Sequence, residues 1–141
     1  MWLIYSDGAC SYNPGPGGWA AVLTQDSQLI TSVSGYEKNT TNNRMELTAS
    51  IEGITECSKF SQEMIVVTDS IYVKDGITKW IYAWRKNNWK DGKIKNIDLW
   101  MKLSTLTFKY KVQWQWIKGH AGHKYNEMAD SLARQQIKSN K

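Results

Sequence analysis

Hydrophobic and polar positions divide the chain into segments of two rhythms. Residues 2–6 (WLIYS) form a short apolar run of strand character that ends at Asp7-Gly8. Asn13-Pro14-Gly15-Pro16-Gly17-Gly18 follows, with the backbone chemistry of a turn. Residues 19–24 and 29–36 are further strand candidates joined by the polar Gln25-Asp26-Ser27, so the chain opens as an antiparallel three-strand meander. The period then lengthens. Leu47, Ile51, Ile54 and Ser58 fall on one stripe of a helix opened by Asn42-Asn43, with Gly53 a weak spot inside it. Residues 64–68 contain the run Ile65-Val66-Val67, typical of a strand covered on both faces, and stop at Asp69-Ser70. Ile71-Tyr72-Val73 begins a second helix that Gly76 is expected to interrupt before the pattern resumes through Trp80, Ile81 and Trp84.

Residues 85–95 (RKNNWKDGKIK) are polar and basic around Trp89, and are expected to form a protruding loop. Residues 98–106 return to helix. Residues 111–117 alternate charged and apolar positions, with Val112, Trp114 and Trp116 on one side of a half-exposed strand. Lys118-Gly119-His120-Ala121-Gly122-His123 reads as a flexible turn, and residues 126–137 as a last helix with Met128, Ala129, Leu132 and Ala133 inward. No repeat or linker divides the chain, so a single α/β domain over residues 1–141 is expected, with a mixed five-stranded sheet.

A strand, a helix and a returning strand predict a right-handed crossover that sets residues 64–68 parallel to the first strand. In such sheets chemistry gathers beyond the carboxyl ends of the strands. Asp7 and Asp69 stand at those ends, and the crossover carries the first turn of the Glu46 helix within reach of both. Each has an ordinary explanation. Asp7 suits a turn, Asp69 an N-cap, and Glu46 the reaching-back position of a capping box with Asn43. Converging, the three would repel and raise one another's pKa values unless a cation neutralised them. No Cys or His cluster exists, so the ligands would be oxygens, which suits Mg²⁺ or Mn²⁺ rather than zinc.

Composition adds a partner. The formal charge is +5 with a sequence pI near 9.2, which points to a polyanion. Eight Trp and seven Tyr against two Phe place some of these rings, with their polar tips, on a binding surface. Cys10 and Cys57 lack C-x-x-C spacing and argue against a disulfide framework or a zinc ribbon. No apolar run reaches membrane length and Asp7 comes too early for a signal peptide, so a cytoplasmic protein is expected.

Ser6-Asp7-Gly8-Ala9-Cys10, Asn13-Pro14-Gly15-Pro16-Gly17-Gly18, Thr41-Asn42-Asn43-Arg44-Met45-Glu46-Leu47, Thr68-Asp69-Ser70, Gly76-Ile77-Thr78, Asn96-Ile97-Asp98-Leu99-Trp100 and Lys118-Gly119-His120-Ala121-Gly122-His123 together resemble type 1 ribonuclease H, in that family's order and spacing. The resemblance implies cleavage of the RNA strand of RNA/DNA hybrids with two divalent metals, Mg²⁺ or alternatively Mn²⁺, leaving 5′-phosphate and 3′-hydroxyl ends. It implies Asp7, Glu46, Asp69 and Asp130 as metal-binding carboxylates, and His120 as an aid to proton movement or product departure. Without the family, Asp130 would be an exposed partner of Arg134 one turn on. By the same resemblance Asn13, Asn42 and Asn43 contact the RNA strand, whose 2′-hydroxyl distinguishes it from DNA. Thr41 and Asn96 match a pocket for a DNA phosphate, and Trp80 and Trp84 a channel against deoxyribose. Arg85, Lys86, Lys90, Lys93 and Lys95 match a basic protrusion that would give salt-sensitive affinity.

Two positions depart from the pattern. Asn39 stands where many members carry arginine, which shifts weight to Lys38, and Ile71 replaces a polar residue near the substrate. His123 is given a structural or substrate-proximal role, and Arg44 none. No amino-terminal hybrid-binding module is expected, and the family implies a monomer. The competing possibilities are a binding-only domain of the same fold, disfavoured because all four acidic positions are present, and a domain cut from a reverse transcriptase, disfavoured by Met1 directly before the first strand.

Overall fold

The computed structural model describes residues 1–140. Its strands are β1 (Trp2–Cys10), β2 (Gly15–Gln25), β3 (Gln28–Thr40), β4 (Glu63–Thr68) and β5 (Lys111–Trp116). Its helices are α1 (Asn42–Cys57), α2 (Ile71–Asp75), α3 (Ile81–Lys86), α5 (Ile97–Lys109) and α6 (Lys124–Ser139), with α4 (Asn88–Gly92) a short left-handed turn between α3 and α5. The strands form one sheet in the order β3-β2-β1-β4-β5, antiparallel through the meander and parallel from β1 to β4 and from β4 to β5. Asp26 and Ser27 close the β2–β3 hairpin with φ of 50° and 67°, the left-handed pair whose twist matches that of the strands it joins.

β1 and β2 run further than the sequence pattern indicates. The parallel ladder between β1 and β4 ends at Ser6↔Thr68, whereas the antiparallel ladder with β2 continues to Cys10↔Gly17. Asp7 and Gly8 therefore lie within β1 and not at its end, and much of the glycine-proline stretch is strand. Pro16 sits at a register shift between β2 and β3, where a missing N–H costs least.

Side chains alternate across β1 and sort the helices onto two faces. Ile4 meets α1 at Gly53, where a Cβ would come within 2.6 Å of the Ile4 Cγ2. The expected weak spot of α1 is thus a point of close approach to the sheet. Tyr5 points the other way and packs its ring 5.5 Å from Tyr125 of α6. Ile4, Leu23, Leu47, Ile54 and Met64, all fully buried, belong to the core cluster, which extends to Val73, Ile81, Trp100 and Leu103.

Gly76 does not break the second helix. Residues Gly76–Trp80 form a π-helical turn linking α2 to α3, and a Cβ on Gly76 would overlap the Trp100 ring. The helix widens by one residue to admit that indole. The expected free loop at 85–95 is also more ordered than its composition indicates. α3 runs to Lys86, Asn88 to Asp91 form a left-handed turn with φ of 49° to 55°, and the half-buried Trp89 packs 6.0 Å from Trp84. Ile94 is buried, so the segment is pinned by two apolar side chains while its five cationic residues stay exposed. On β5, Val112 and Trp114 face inward as expected but Trp116 is 40% exposed. Among the described residues no helix is long and apolar enough to cross a membrane.

Candidate active site

The parallel ladder makes the first part of the site. Beyond its last pair, Ser6↔Thr68, come Asp7, still within β1, and Asp69, directly after β4. α1 supplies the third group. One carboxylate oxygen each of Asp7, Glu46 and Asp69 lies within 4.8 Å of the others. Asp7 and Glu46 are each 5% exposed.

The ordinary explanations for Glu46 and Asp69 belong to their neighbours instead. Thr41, not Asn43, caps α1, its Oγ1 accepting the Arg44 N–H at 3.2 Å. Ser70, not Asp69, caps α2, its Oγ accepting the Val73 N–H at 3.1 Å. Glu46 and Asp69 are thereby released from capping, and Oε1 of Glu46 is buried with no hydrogen-bond partner. Asp7 alone keeps a turn-like bond, accepting the Gly8 N–H at 3.0 Å.

Such crowding is costly for negative charge. Burial, then the charge of Asp69, pushes Asp7 up to about 8 against an ordinary 3.8, and Asp130 adds to the rise. Glu46 is held well above the usual carboxylate range by burial first and by Asp7 and Asp69 next. Burial also raises Asp69. Three hard oxygen donors, one orphaned and all resisting ionisation, fit a divalent cation such as Mg²⁺. A pH dependence follows. Without cation, native Asp7 keeps its proton between about pH 4 and 8 while the unfolded chain has lost it. This contribution is complete below the unfolded value and is lost as pH rises through about 8. Melting in EDTA should therefore fall in temperature from about pH 6 to 8.5, and saturating Mg²⁺ should remove the fall; the same slope with and without cation would contradict this.

A recess of about 430 Å³ opens over the carboxylates and is also lined by Asn42, Asn43, His120 and Asp130. Asn13, on the β1–β2 turn, does not line it but is tied to its edge, its Oδ1 accepting the Asn42 N–H at 2.9 Å. Ile71, 60% exposed, stands on the rim. His120 has a left-handed φ of 55° in the loop after β5. His123 is the N-cap residue of α6 and makes no side-chain cap bond. Asp130 lines the recess but stands outside the tight trio. It is ion-paired to Arg134 at 2.8 Å, and its side chain is only 16% exposed. Trp116 donates its indole N–H to the Asp69 carbonyl at 3.1 Å, tying the end of β5 to the end of β4.

A second cluster lies beside the first. Asn96, with φ of 61°, opens α5 and donates through Nδ2 to the Tyr72 hydroxyl at 3.1 Å. Tyr72 also accepts the Trp100 indole N–H at 2.9 Å and packs 5.7 Å from Trp80. Trp80 is 37% exposed, whereas Trp84 is half-buried with its ring 5.4 Å from Trp100, so only Trp80 offers a substantial free face. Arg44, which received no role from sequence, organises this cluster. Its guanidinium pairs with both Asp98 oxygens, at 3.0 and 2.8 Å, and reaches Asn96 Oδ1 at 3.3 Å, while its backbone N–H bonds Thr41. The two residues matched to a phosphate pocket, Thr41 and Asn96, are thus held by one arginine. The only signal in sequence was an acidic residue two places after Asn96. Lys38 and Asn39 are exposed at the end of β3.

A family model for RNase H matches residues 1–138. A ribonuclease H of Wolbachia pipientis wMel is 51% identical over 139 residues, covering 96% of this chain and 94% of its own. That of Maricaulis maris (strain MCS10) is 50% identical over 135 residues, covering 94% and 90%. Among solved structures, LC9-RNase H1, a type 1 RNase H with the type 2 active-site motif, superposes with a TM-score of 0.87 at 30% identity over 99% of this chain and 73% of that one. LC11-RNase H1, in complex with RNA/DNA hybrid, shares the fold with a TM-score of 0.78 at 22% identity, over 99% and 98%.

Proposed function

The chain belongs to the ribonuclease H family as a type 1 member, and from that premise we propose that it hydrolyses the RNA strand of RNA/DNA hybrids internally, with Mg²⁺ or Mn²⁺, leaving 5′-phosphate and 3′-hydroxyl ends. The observation that carries this is the trio of carboxylates with mutually adjacent oxygens and an orphaned Glu46 Oε1. Asp7, Glu46 and Asp69 would hold the cations, and Asp130, which lines the same recess, would complete the set. When bound, two divalent cations supply an acidified water as nucleophile and neutralise charge at the departing 3′ oxygen. The protein's share is positioning and electrostatics.

Each side chain then has a task set by its chemistry. The amides of Asn13, Asn42 and Asn43 both donate and accept, as contact with a 2′-hydroxyl and base edges requires. Asn42 and Asn43 line the carboxylate recess and Asn13 is bonded to Asn42, so recognition of RNA and its cutting are separated by one turn of α1. Thr41 and Asn96, fixed by Arg44, grip a phosphate of the DNA strand. Trp80 stacks against deoxyribose, with Trp84 supporting it from behind. His120, lining the recess, assists proton movement or product departure. Arg85, Lys86, Lys90, Lys93 and Lys95 add sequence-independent attraction that weakens as salt rises.

The test is incubation with an RNA/DNA hybrid, duplex RNA or duplex DNA, each with Mg²⁺, Mn²⁺ or EDTA, followed by end-group determination. Cutting confined to the RNA of the hybrid, blocked by EDTA and leaving 5′-phosphates, is expected. Hybrid binding without cation-dependent cutting would instead identify a binding-only domain.

A further inference from the structure

The Asp130–Arg134 ion pair joins two adjoining recesses. Asp130 lines the carboxylate pocket, while Arg134 lines a separate cavity of about 360 Å³ between the β1–β2 turn and α6, with Ser11, Ser131, Gln135 and Lys138. Among the described residues no acidic side chain lines this second cavity. Its polar groups are two hydroxyls, an amide, a guanidinium and an ammonium, a donor-rich set suited to a phosphodiester oxyanion. Ser11 lies on the same turn as Asn13, whose bond to Asn42 sets that turn against the carboxylate pocket.

The pair itself is asymmetric. The Arg134 side chain is 65% exposed and the Asp130 side chain 16%. An ion pair with one solvated partner is weak and readily exchanged. A phosphate accepts both arms of a guanidinium, in the planar geometry for which arginine is suited. While Arg134 holds Asp130, it also places a positive charge next to a cluster built to hold cations.

We propose that the cavity between the β1–β2 turn and α6 is a subsite for one phosphodiester of the RNA strand, and that Arg134 leaves Asp130 to bind it, so that arrival of the hybrid frees the fourth carboxylate for a divalent cation. This rests on the hybrid-cleaving function proposed above. Lys138, one turn beyond Arg134 and without an acidic partner in the cavity, supplies the second positive charge on the phosphate. Ser11 and Gln135 fix its remaining oxygens.

The test uses the full chain and a fluorescent RNA/DNA hybrid in EDTA, where nothing is cut. Lys138→Gln and Arg134→Gln should each lower the slope of log affinity against log salt by about one. Hybrids carrying a single uncharged methylphosphonate should locate the contact: at one RNA position the change should weaken wild type about fivefold or more and weaken Arg134→Gln clearly less, the remainder being the share of Lys138. Without nucleic acid, Arg134→Gln should bind Mn²⁺ several-fold more tightly than wild type, and Lys138→Gln should bind it equally. Should Arg134→Gln fold poorly, Lys138→Gln and Ser11→Ala leave the ion pair intact and still report on the subsite through the same scan. Unchanged slopes, coupling to a DNA-strand phosphate, or unchanged Mn²⁺ affinity in a folded Arg134→Gln would overturn the proposal. Wild-type protein that cuts hybrid while these variants match it overturns the subsite alone; wild-type protein that neither binds nor cuts hybrid overturns the parent function with it.

Discussion

Asp7→Asn is expected to lose cation-dependent cleavage by about a thousandfold or more, about 4 kcal/mol of transition-state stabilisation, while melting at a higher temperature in EDTA at pH 8. The two effects have one cause. Asp7 sits 5% exposed within a trio of carboxylates whose burial and mutual repulsion push it up to about 8. An asparagine fills the same volume without charge, so the cation-free fold is relieved, and the same change removes an anionic oxygen from the cation site. Stability gained where activity is lost marks a site strained for its function. A turn residue would behave otherwise. If Asp7 served only to accept the Gly8 N–H, the amide oxygen of asparagine would do so equally and activity would survive. Hybrid affinity in EDTA should be retained or improved, which separates loss of chemistry from loss of binding.

Gly8→Ala should cost activity without touching a charged group. A Cβ at Gly8 would come within 2.5 Å of the Glu46 backbone nitrogen and 2.6 Å of the Met45 carbonyl carbon. Those atoms are helical backbone in the first turn of α1 and cannot turn aside as a side-chain tip would. Either α1 lifts or β1 shifts, and in both cases Glu46 moves relative to Asp7 and Asp69. Overpacking of this kind costs about 1–3 kcal/mol, or roughly 4–12 °C in a domain of this size. A displacement of about 1 Å in such a constellation costs about a hundredfold in rate. Melting curves and steady-state hybrid cleavage check both numbers. Full activity in Gly8→Ala would mean that the contact between β1 and α1 does not set the carboxylate geometry.

Much of the architecture was legible because its signals were local. Ile65-Val66-Val67 is typical of a covered strand, and the three-and-four spacing of Leu47, Ile51 and Ile54 is that of a helix, as both prove to be. Their order made the β1–β4 pairing parallel, which brought Asp7, Asp69 and Glu46 together before any coordinate was known. What escaped depended on distant partners. Gly8 to Cys10 resemble a turn until β2 is present to extend the ladder past the end of β4. Gly76 resembles a helix breaker until Trp100, far along the chain, fills the space its side chain would occupy. The composition of 85–95 announces a loop, yet Trp89 and Ile94 find apolar neighbours that fasten it. Asn43 is the better cap by residue type, and only the backbone shows that Thr41 takes the position. Arg44 had no visible purpose because its partners, Asn96 and Asp98, come from the start of a different helix.

The central claim, that Asp7, Glu46 and Asp69 form a cation site held partly protonated until it is filled, is tested most directly by calorimetric titration of Mg²⁺ into the protein at pH 7, repeated in two buffers of different ionisation enthalpy. Binding that releases at least about one proton per protein, consistent with an Asp7 pushed up to about 8 and a Glu46 also raised, and that vanishes in Glu46→Gln, is the predicted result. Binding with no proton release, or binding undiminished in Glu46→Gln, would contradict it.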